Sequence, residues 1–262
     1  RFNRSLERLC MPQVPFDLFS EGIKQLVSTD SEWVPNSEGT SLYIRPFMFA
    51  TEERFGVKVS SEYKFIIFAG PVGDYYSEPL RLKVEDKFIR AAKGGTGYAK
   101  CGGNYGASFY PAHLAKQQGF DQVIWTDGSP ELNIEESGTM NIVFVIDGTV
   151  VTPPLSDTIL DGITRDSILS LAVDLGYKVA ERKISALELI TLLQAGKLEE
   201  VFGSGTAAVT SPVKSVNILG TDYNLPVVGN EHFSQKVKRM LTEIRTGTRT
   251  DKYGWNTVIR VH

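Results

Sequence analysis

Gly94-Gly-Thr-Gly-Tyr-Ala-Lys100-Cys-Gly-Gly-Asn-Tyr105-Gly106 sets one lysine among six glycines. Glycine lets backbone approach a ligand closely and reach dihedrals that other residues avoid. A lysine kept from water in such a place sheds its proton more readily and becomes a nucleophilic amine. Amines of that kind form Schiff bases with carbonyl compounds. Taken alone, the stretch reads more simply as a surface loop with a solvated lysine, because isolated glycine-rich segments are weak signals. The chain on either side decides the matter.

Working outward, the pattern alternates strands with helices. Upstream, residues 80–84 read as a strand. Downstream, residues 107–118 read as a helix with Pro111 in its first turn, and residues 122–126 as a short strand stopped by Asp127-Gly128. Residues 141–146 and 149–152 form a hairpin around Asp147-Gly148, a pair suited to the positive φ of a tight turn. Residues 164–175 place Ile168, Leu171, Ala172 and Leu175 on one helical face, with Gly176 closing the helix. Residues 177–183 are a strand. Ser185-Ala-Leu-Glu188 is a capping box that opens a further helix, with Leu189, Leu192 and Leu193 inward. A strand at 200–202 runs into Gly203-Ser-Gly-Thr206, and residues 230–245 are a helix.

Nearer the start, residues 15–27 make an amphipathic helix through Phe19, Ile23, Leu26 and Val27. Residues 41–51 and 63–69 are strands. Tyr43 and Arg45 stand two apart and share a face, while Pro46 marks an edge or a bulge. The Gly, Pro, Tyr and Ser content of 70–79 marks an interdomain linker. The expected division is a small N-terminal domain over 1–72, a linker over 73–81 and a large domain over 82–262, of mixed α/β class.

The 262 residues carry a net charge of −3, which gives no reason to expect nucleic acid or an anionic membrane as partner. Two cysteines without metal-type spacing point to no metal site and to a reducing, cytoplasmic setting. No apolar run approaches the length of a membrane span. Arg1 is not an initiator methionine, and the opening residues read as a helix already under way and closed by Pro12. The chain is therefore expected to lack its natural beginning, and the small domain to be incomplete at that end.

Four further segments carry groups that a phosphate-bearing aldehyde cofactor would need. Glu136-Ser-Gly-Thr139 offers a carboxylate that could hold the proton of a pyridine nitrogen; composition does not choose between it and Glu135. Leu160-Asp-Gly-Ile163-Thr164 opens a helix, whose free N–H groups and dipole favour a phosphate. Gly203-Ser-Gly-Thr206-Ala207 is small and hydroxyl-bearing and is expected to turn around an anion. Tyr43 and Arg45 put a phenol and a guanidinium on one strand face. The three histidines, His113, His232 and His262, lie outside all of these segments.

Lys100-Cys-Gly-Gly-Asn-Tyr105, Glu136-Ser-Gly-Thr-Met-Asn141, Thr152-Pro-Pro-Leu155, Gly162-Ile-Thr-Arg-Asp166, Phe202-Gly-Ser-Gly-Thr-Ala207 and Ser41-Leu-Tyr-Ile-Arg-Pro46 together resemble the branched-chain amino-acid aminotransferases. These are class IV pyridoxal-phosphate aminotransferases, which also include D-amino-acid aminotransferase and aminodeoxychorismate lyase. Tyr43-x-Arg45-Pro46 pulls toward the branched-chain, L-specific branch, and the closing Lys252-Tyr-Gly-Trp255 also looks like that family's end.

The resemblance implies a two-domain, D-amino-acid-aminotransferase-like fold and homodimers. It implies pyridoxal 5′-phosphate as cofactor. It also implies transfer of the amino group of leucine, isoleucine or valine to 2-oxoglutarate by ping-pong chemistry. By the same resemblance Lys100 is the Schiff-base lysine and proton shuttle. Tyr105 meets the ring oxygen of the cofactor, and Glu136 rather than Glu135 meets its pyridine nitrogen. Leu160 packs on the ring. Ile163, Thr164, Thr206 and Arg1 hold the phosphate. Tyr43 and Arg45 shape the substrate pocket, with Thr139 and Ala207 on the side of the substrate carboxylate. Some mammalian members carry a redox cysteine pair where this chain has Ala208 and Ser211, so that thiol regulation is not expected.

Overall fold

Met140–Ile146 is buried along its whole length. A strand covered on both faces reads as a continuous apolar run rather than an alternating one, and Ile142-Val-Phe-Val-Ile146 is such a run. This strand is the hub of the larger part of the chain. The computed structural model describes residues 1–37, 39–73 and 78–260. By its internal contacts the chain divides into two compact units, Arg1–Tyr75 with Asp251–His262, and Tyr76–Thr250. The closing residues thus group with the N-terminal unit, whereas the sequence reading runs the large domain to 262. Of the linker expected at 73–81, residues 74–77 lie outside the described residues.

The unit Tyr76–Thr250 contains β3 (Leu80–Val84), α3 (Gly102–Gln117), β4 (Gln122–Thr126), β5 (Ile134–Ser137), β6 (Met140–Ile146), β7 (Thr149–Thr152), α4 (Ile163–Asp174), β8 (Lys178–Glu181), α5 (Ala186–Gln194), β9 (Leu198–Gly205), β10 (Val209–Ile218), β11 (Thr221–Asn224) and α6 (Phe233–Arg245). The pairings β10–β3, β3–β4, β4–β5, β5–β6, β6–β9 and β9–β10 close a ring. The two contacts of β3 are parallel and the other four are antiparallel. β11 extends the sheet beyond β10, and β7 and β8 extend it beyond β6.

Leu82, Ile124, Met140, Ile142, Phe144, Val201, Val213 and Val216 share one buried apolar cluster, drawn from strands all around the ring. α3 lies against β4, α4 against β8 and β9, α5 against β9, and α6 against β9 and β10. Asp147 and Gly148 both take positive φ in the β6–β7 turn, as that dipeptide requires. Ser185 caps α5 by accepting from the N–H of Glu188, as the capping box predicts.

Two local expectations need correction. α3 begins at Gly102, not at residue 107, so Gly102, Gly103 and Gly106 are helical and Pro111 sits mid-helix. β9 continues through Gly203-Ser-Gly205, because this segment pairs with β6 on one side and β10 on the other. The anticipated turn is therefore displaced to residues 206–208. Glu135 and Glu136 both lie in β5 and are buried. β10 and β11 were not foreseen.

The N-terminal unit holds α1 (Phe2–Arg8), α2 (Phe16–Thr29), a short 3-10 turn, and the antiparallel pair β1 (Ser41–Ala50) and β2 (Tyr63–Val72). Pro46 is opposite Ile67 in this two-stranded ladder, where both strands have a free edge and a missing N–H is tolerated. Phe2, Phe19 and Phe65 form a triad with ring centroids 5.6 to 6.0 Å apart. Among the described residues no helix is long and apolar enough to cross a membrane.

Candidate active site

Glu136 is 3% exposed on β5. In the sheet it stands opposite Trp125 and Asn141, and a charge with so little access to water must be met by protein groups or be neutralised. Its Oε1 accepts from the backbone N–H of Leu160 at 2.7 Å and, at 3.5 Å, from Asn141 Nδ2. Its Oε2 lies 3.1 Å from Arg90 Nε, an ion pair without the angle of a hydrogen bond. Burial nevertheless dominates and pushes the carboxyl from 4.5 up to about 7. Arg90, the Leu160 N–H and Lys100 pull the other way, and the neighbouring charge of Glu135 adds to the rise.

Glu136 opens onto a pocket lined also by Arg90, Asn104, Tyr105, Ser108, Gly138, Thr139 and Leu160. Four residues singled out from the sequence, Tyr105, Glu136, Thr139 and Leu160, thus meet at one cavity. Lys100 is exposed at the end of the segment leading into α3, and its charge is felt at Glu136.

The lysine segment is fastened on two sides. Asn104, in the first turn of α3, donates to the carbonyls of Thr96 and Ala99 at 2.8 Å each and accepts from Thr96 Oγ1. On the other side, the Tyr98 N–H donates to Asp157 O at 3.1 Å, and the Gly94 N–H donates to the Asp157 carboxylate. Gly97 is required by close approach: a Cβ there would stand 2.6 Å from both Ala91 Cβ and Thr158 Cα. At Gly102, Gly103 and Gly106, by contrast, a Cβ would meet nothing within 4 Å.

Ile163 and Thr164 open α4, whose N-cap is Gly162, and Thr164 is buried whereas Ile163 is exposed. A Cβ at Gly162 would fall 1.9 Å from Asn141 Oδ1. Glycine there lets the helix start against Asn141, which also donates to Leu160 O at 2.8 Å. Thr206 and Ala207 are exposed in the β9–β10 turn, which Val209 leaves at a φ of 59°. A β-branched residue in the left-handed region is strained, and such strain gathers where a loop must hold one shape.

Arg1, Tyr43 and Arg45 belong to the N-terminal unit. Arg1 caps α1. Arg45 Nη2 donates to the Tyr43 hydroxyl at 2.8 Å, and its guanidinium lies 5.0 Å from the Tyr43 ring centre.

Arg90 and Asn141 were given no role from sequence. Asn141 lay inside a quoted motif, but nothing in its spacing reveals the bonds to Glu136 and Leu160. Arg90 stands in irregular chain 46 positions before Glu136, and no linear pattern joins them. Among the described residues, no cluster of His, Cys, Asp and Glu could hold a metal ion.

The sequence profile of the amino-transferase class IV family matches residues 1–216. The chain belongs to the class IV aminotransferases. The branched-chain-amino-acid aminotransferase 2 of Bacillus subtilis (strain 168) is 47% identical over 99% of this chain and 72% of the relative. The solved branched-chain aminotransferase of Thermoproteus uzoniensis, crystallised with norvaline, matches 98% of this chain and 80% of that one with a TM-score of 0.81 at 27% identity. A solved T.th. branched-chain amino acid aminotransferase with pyridoxamine 5′-phosphate matches 98% of this chain and 80% of its own, with a TM-score of 0.78 at 28% identity. Membership of this class accords with the mixed α/β architecture described above.

Proposed function

We propose that this class IV aminotransferase moves the amino group of L-leucine, L-isoleucine and L-valine to 2-oxoglutarate, giving branched-chain 2-oxo acids and L-glutamate. The observation that carries the reading is the buried carboxylate of Glu136 facing the pocket it shares with Tyr105, within electrostatic reach of Lys100. The donor set fits pyridoxal 5′-phosphate. A desolvated carboxyl raised to about 7 is matched to a protonated ring nitrogen. Tyr105 offers a phenol to the ring oxygen. The N-terminus of α4 at Ile163 and Thr164, together with the Thr206 turn, offers N–H and hydroxyl groups to a phosphate. The family resemblance further assigns Leu160 to the ring face and Arg1 to the phosphate. When bound, the cofactor supplies an aldehyde and an electron sink for the charge left at Cα.

The chain's own groups do the rest. Lys100 would hold the cofactor through its ε-amine, and as a free amine it would move the proton at the substrate Cα. Glu136 would hold the proton of the ring nitrogen. Thr139 and Ala207 face the substrate carboxylate, and Tyr43 and Arg45 shape the remainder of the substrate site. The working form in this reading is a cytoplasmic homodimer, as is common for two-fold oligomers. Lys100→Ala is expected to abolish turnover of L-leucine with 2-oxoglutarate and to remove the visible absorbance of the bound cofactor. Full activity in that variant would refute the assignment.

A further inference from the structure

Glu135, beside Glu136 on β5, is a second buried carboxylate, 6% exposed. Consecutive strand residues face opposite ways, yet both side chains are tied to one short segment. Thr158 Oγ1 donates to Glu135 Oε1, and the Leu160 N–H donates to Glu136 Oε1. Arg90 closes the circuit: its Nη2 donates to the carbonyls of Thr158 and Gly97, and its Nε is paired with Glu136. A chain of contacts therefore runs from Glu135 through Thr158 and Arg90 to Glu136, with a branch at Gly97 into the segment that carries Lys100.

We propose that Glu135 is a positioning residue for the reaction: it fixes Thr158, and Thr158 with Arg90 sets the placement of Glu136 and of the Lys100 segment. A neutral glutamine could accept the same hydroxyl bond. A second carboxylate buried beside the first is costly, but its bond to the hydroxyl is the stronger, charge-assisted kind. Among the described residues Glu135 Oε2 has no hydrogen-bond partner, so the tie to Thr158 is the direct hold on this carboxylate. Burial raises its pKa, Asp127 and Asp157 add to the rise, and the Thr158 hydroxyl and Arg90 oppose it. The groups acting on Glu136 are Arg90, the Leu160 N–H, Glu135 and Lys100. Since the Glu135 charge raises the Glu136 pKa, removing that charge lowers it.

The proposal rests on the aminotransferase reading, and the test separates the two. Holoenzymes of Glu135→Gln, Thr158→Val, Thr158→Ser and the Glu135→Gln/Thr158→Val double variant are compared with the parent in kcat and KM for L-leucine, in thermal midpoint, and in the pH titration of the bound cofactor's absorbance. Loss of a hydrogen bond to a charged group predicts a roughly tenfold fall in kcat for Thr158→Val, and loss of the charge assistance alone predicts a smaller fall, about threefold, for Glu135→Gln. KM should stay within about twofold. In Glu135→Gln the absorbance midpoint moves to lower pH. Thr158→Ser, which keeps the hydroxyl, behaves as the parent, and the double variant is no worse than Thr158→Val alone. Should Glu135→Gln fail to fold, Thr158→Val against Thr158→Ser carries the same test. Parental kcat and pH midpoint in Glu135→Gln overturn the proposal and leave the aminotransferase reading intact, even if the thermal midpoint falls. A parent protein without cofactor absorbance overturns both.

Discussion

Glu136 shows how burial and charge compete at one residue. An ion pair at 3.1 Å would by itself depress a carboxyl pKa, yet desolvation by burial wins and the group rises to about 7. The sign of the stability effect follows. Below the ordinary value of 4.5 the carboxyl is protonated in both the folded and the unfolded chain. Between 4.5 and about 7 the unfolded chain ionises first, so native stability falls as pH rises. Above about 7 both states are ionised and the full loss persists, on the order of 3 kcal/mol. In cofactor-free protein the urea midpoint of Glu136→Gln should therefore gain on the parent from pH 5 upward and level off past pH 7. A gap that does not change with pH would show that the carboxyl is not raised. Composition alone left Glu135 and Glu136 undecided, and only the family resemblance chose Glu136, because proton affinity depends on what surrounds a side chain. Here those surroundings come from residues 90 and 160, far away in the chain.

At the level of single elements, the legible parts were those whose stabilising groups lie within a few residues. The capping box of α5 is local: Ser185 and Glu188 are three apart, and their bond is 3.1 Å. Ser185→Ala should cost about 1 kcal/mol, read as a lower urea midpoint with an unchanged slope; an unchanged midpoint would mean that the helix start is held by packing alone. The Asp147-Gly148 turn was legible for the same reason. α3 and β9 were not. Three glycines argue against a helix start at Gly102, but Asn104 ties its first turn to the preceding segment. Likewise Gly203-Ser-Gly205 has turn composition, and it becomes strand because β6 and β10 flank it. A Cβ at Gly203 would stand 2.6 Å from Met140 Cε, so glycine there answers to packing across the sheet. Tertiary neighbours overrode local propensity in β9, and in α3 the Asn104 side chain did so by tying the helix to the loop before it.

Across the whole Tyr76–Thr250 unit, the alternation of strands and helices announced the mixed class, but the closing of the ring could not be read from it. Closure depends on β9 and β10, and β10 pairs in parallel with β3 from more than a hundred residues earlier. Contacts so distant leave no local pattern. The same closure makes the site and the core one cooperative structure. β5, β6 and β9 bring Glu136, Asn141 and the Thr206 turn into place, and all three are ring strands. Phe144, fully buried, lies on β6 between Val151 of β7 and Val201 of β9. Phe144→Ala leaves a cavity at that junction and should cost about 3–5 kcal/mol. Because the strands that bear the site are also those that enclose the core, cofactor absorbance and far-ultraviolet helix signal from this unit should be lost together on heating, at a lower temperature than in the parent. Loss of the absorbance well before the helix signal would mean that the site strands open independently of the ring, and the structural account of their cooperation would fail.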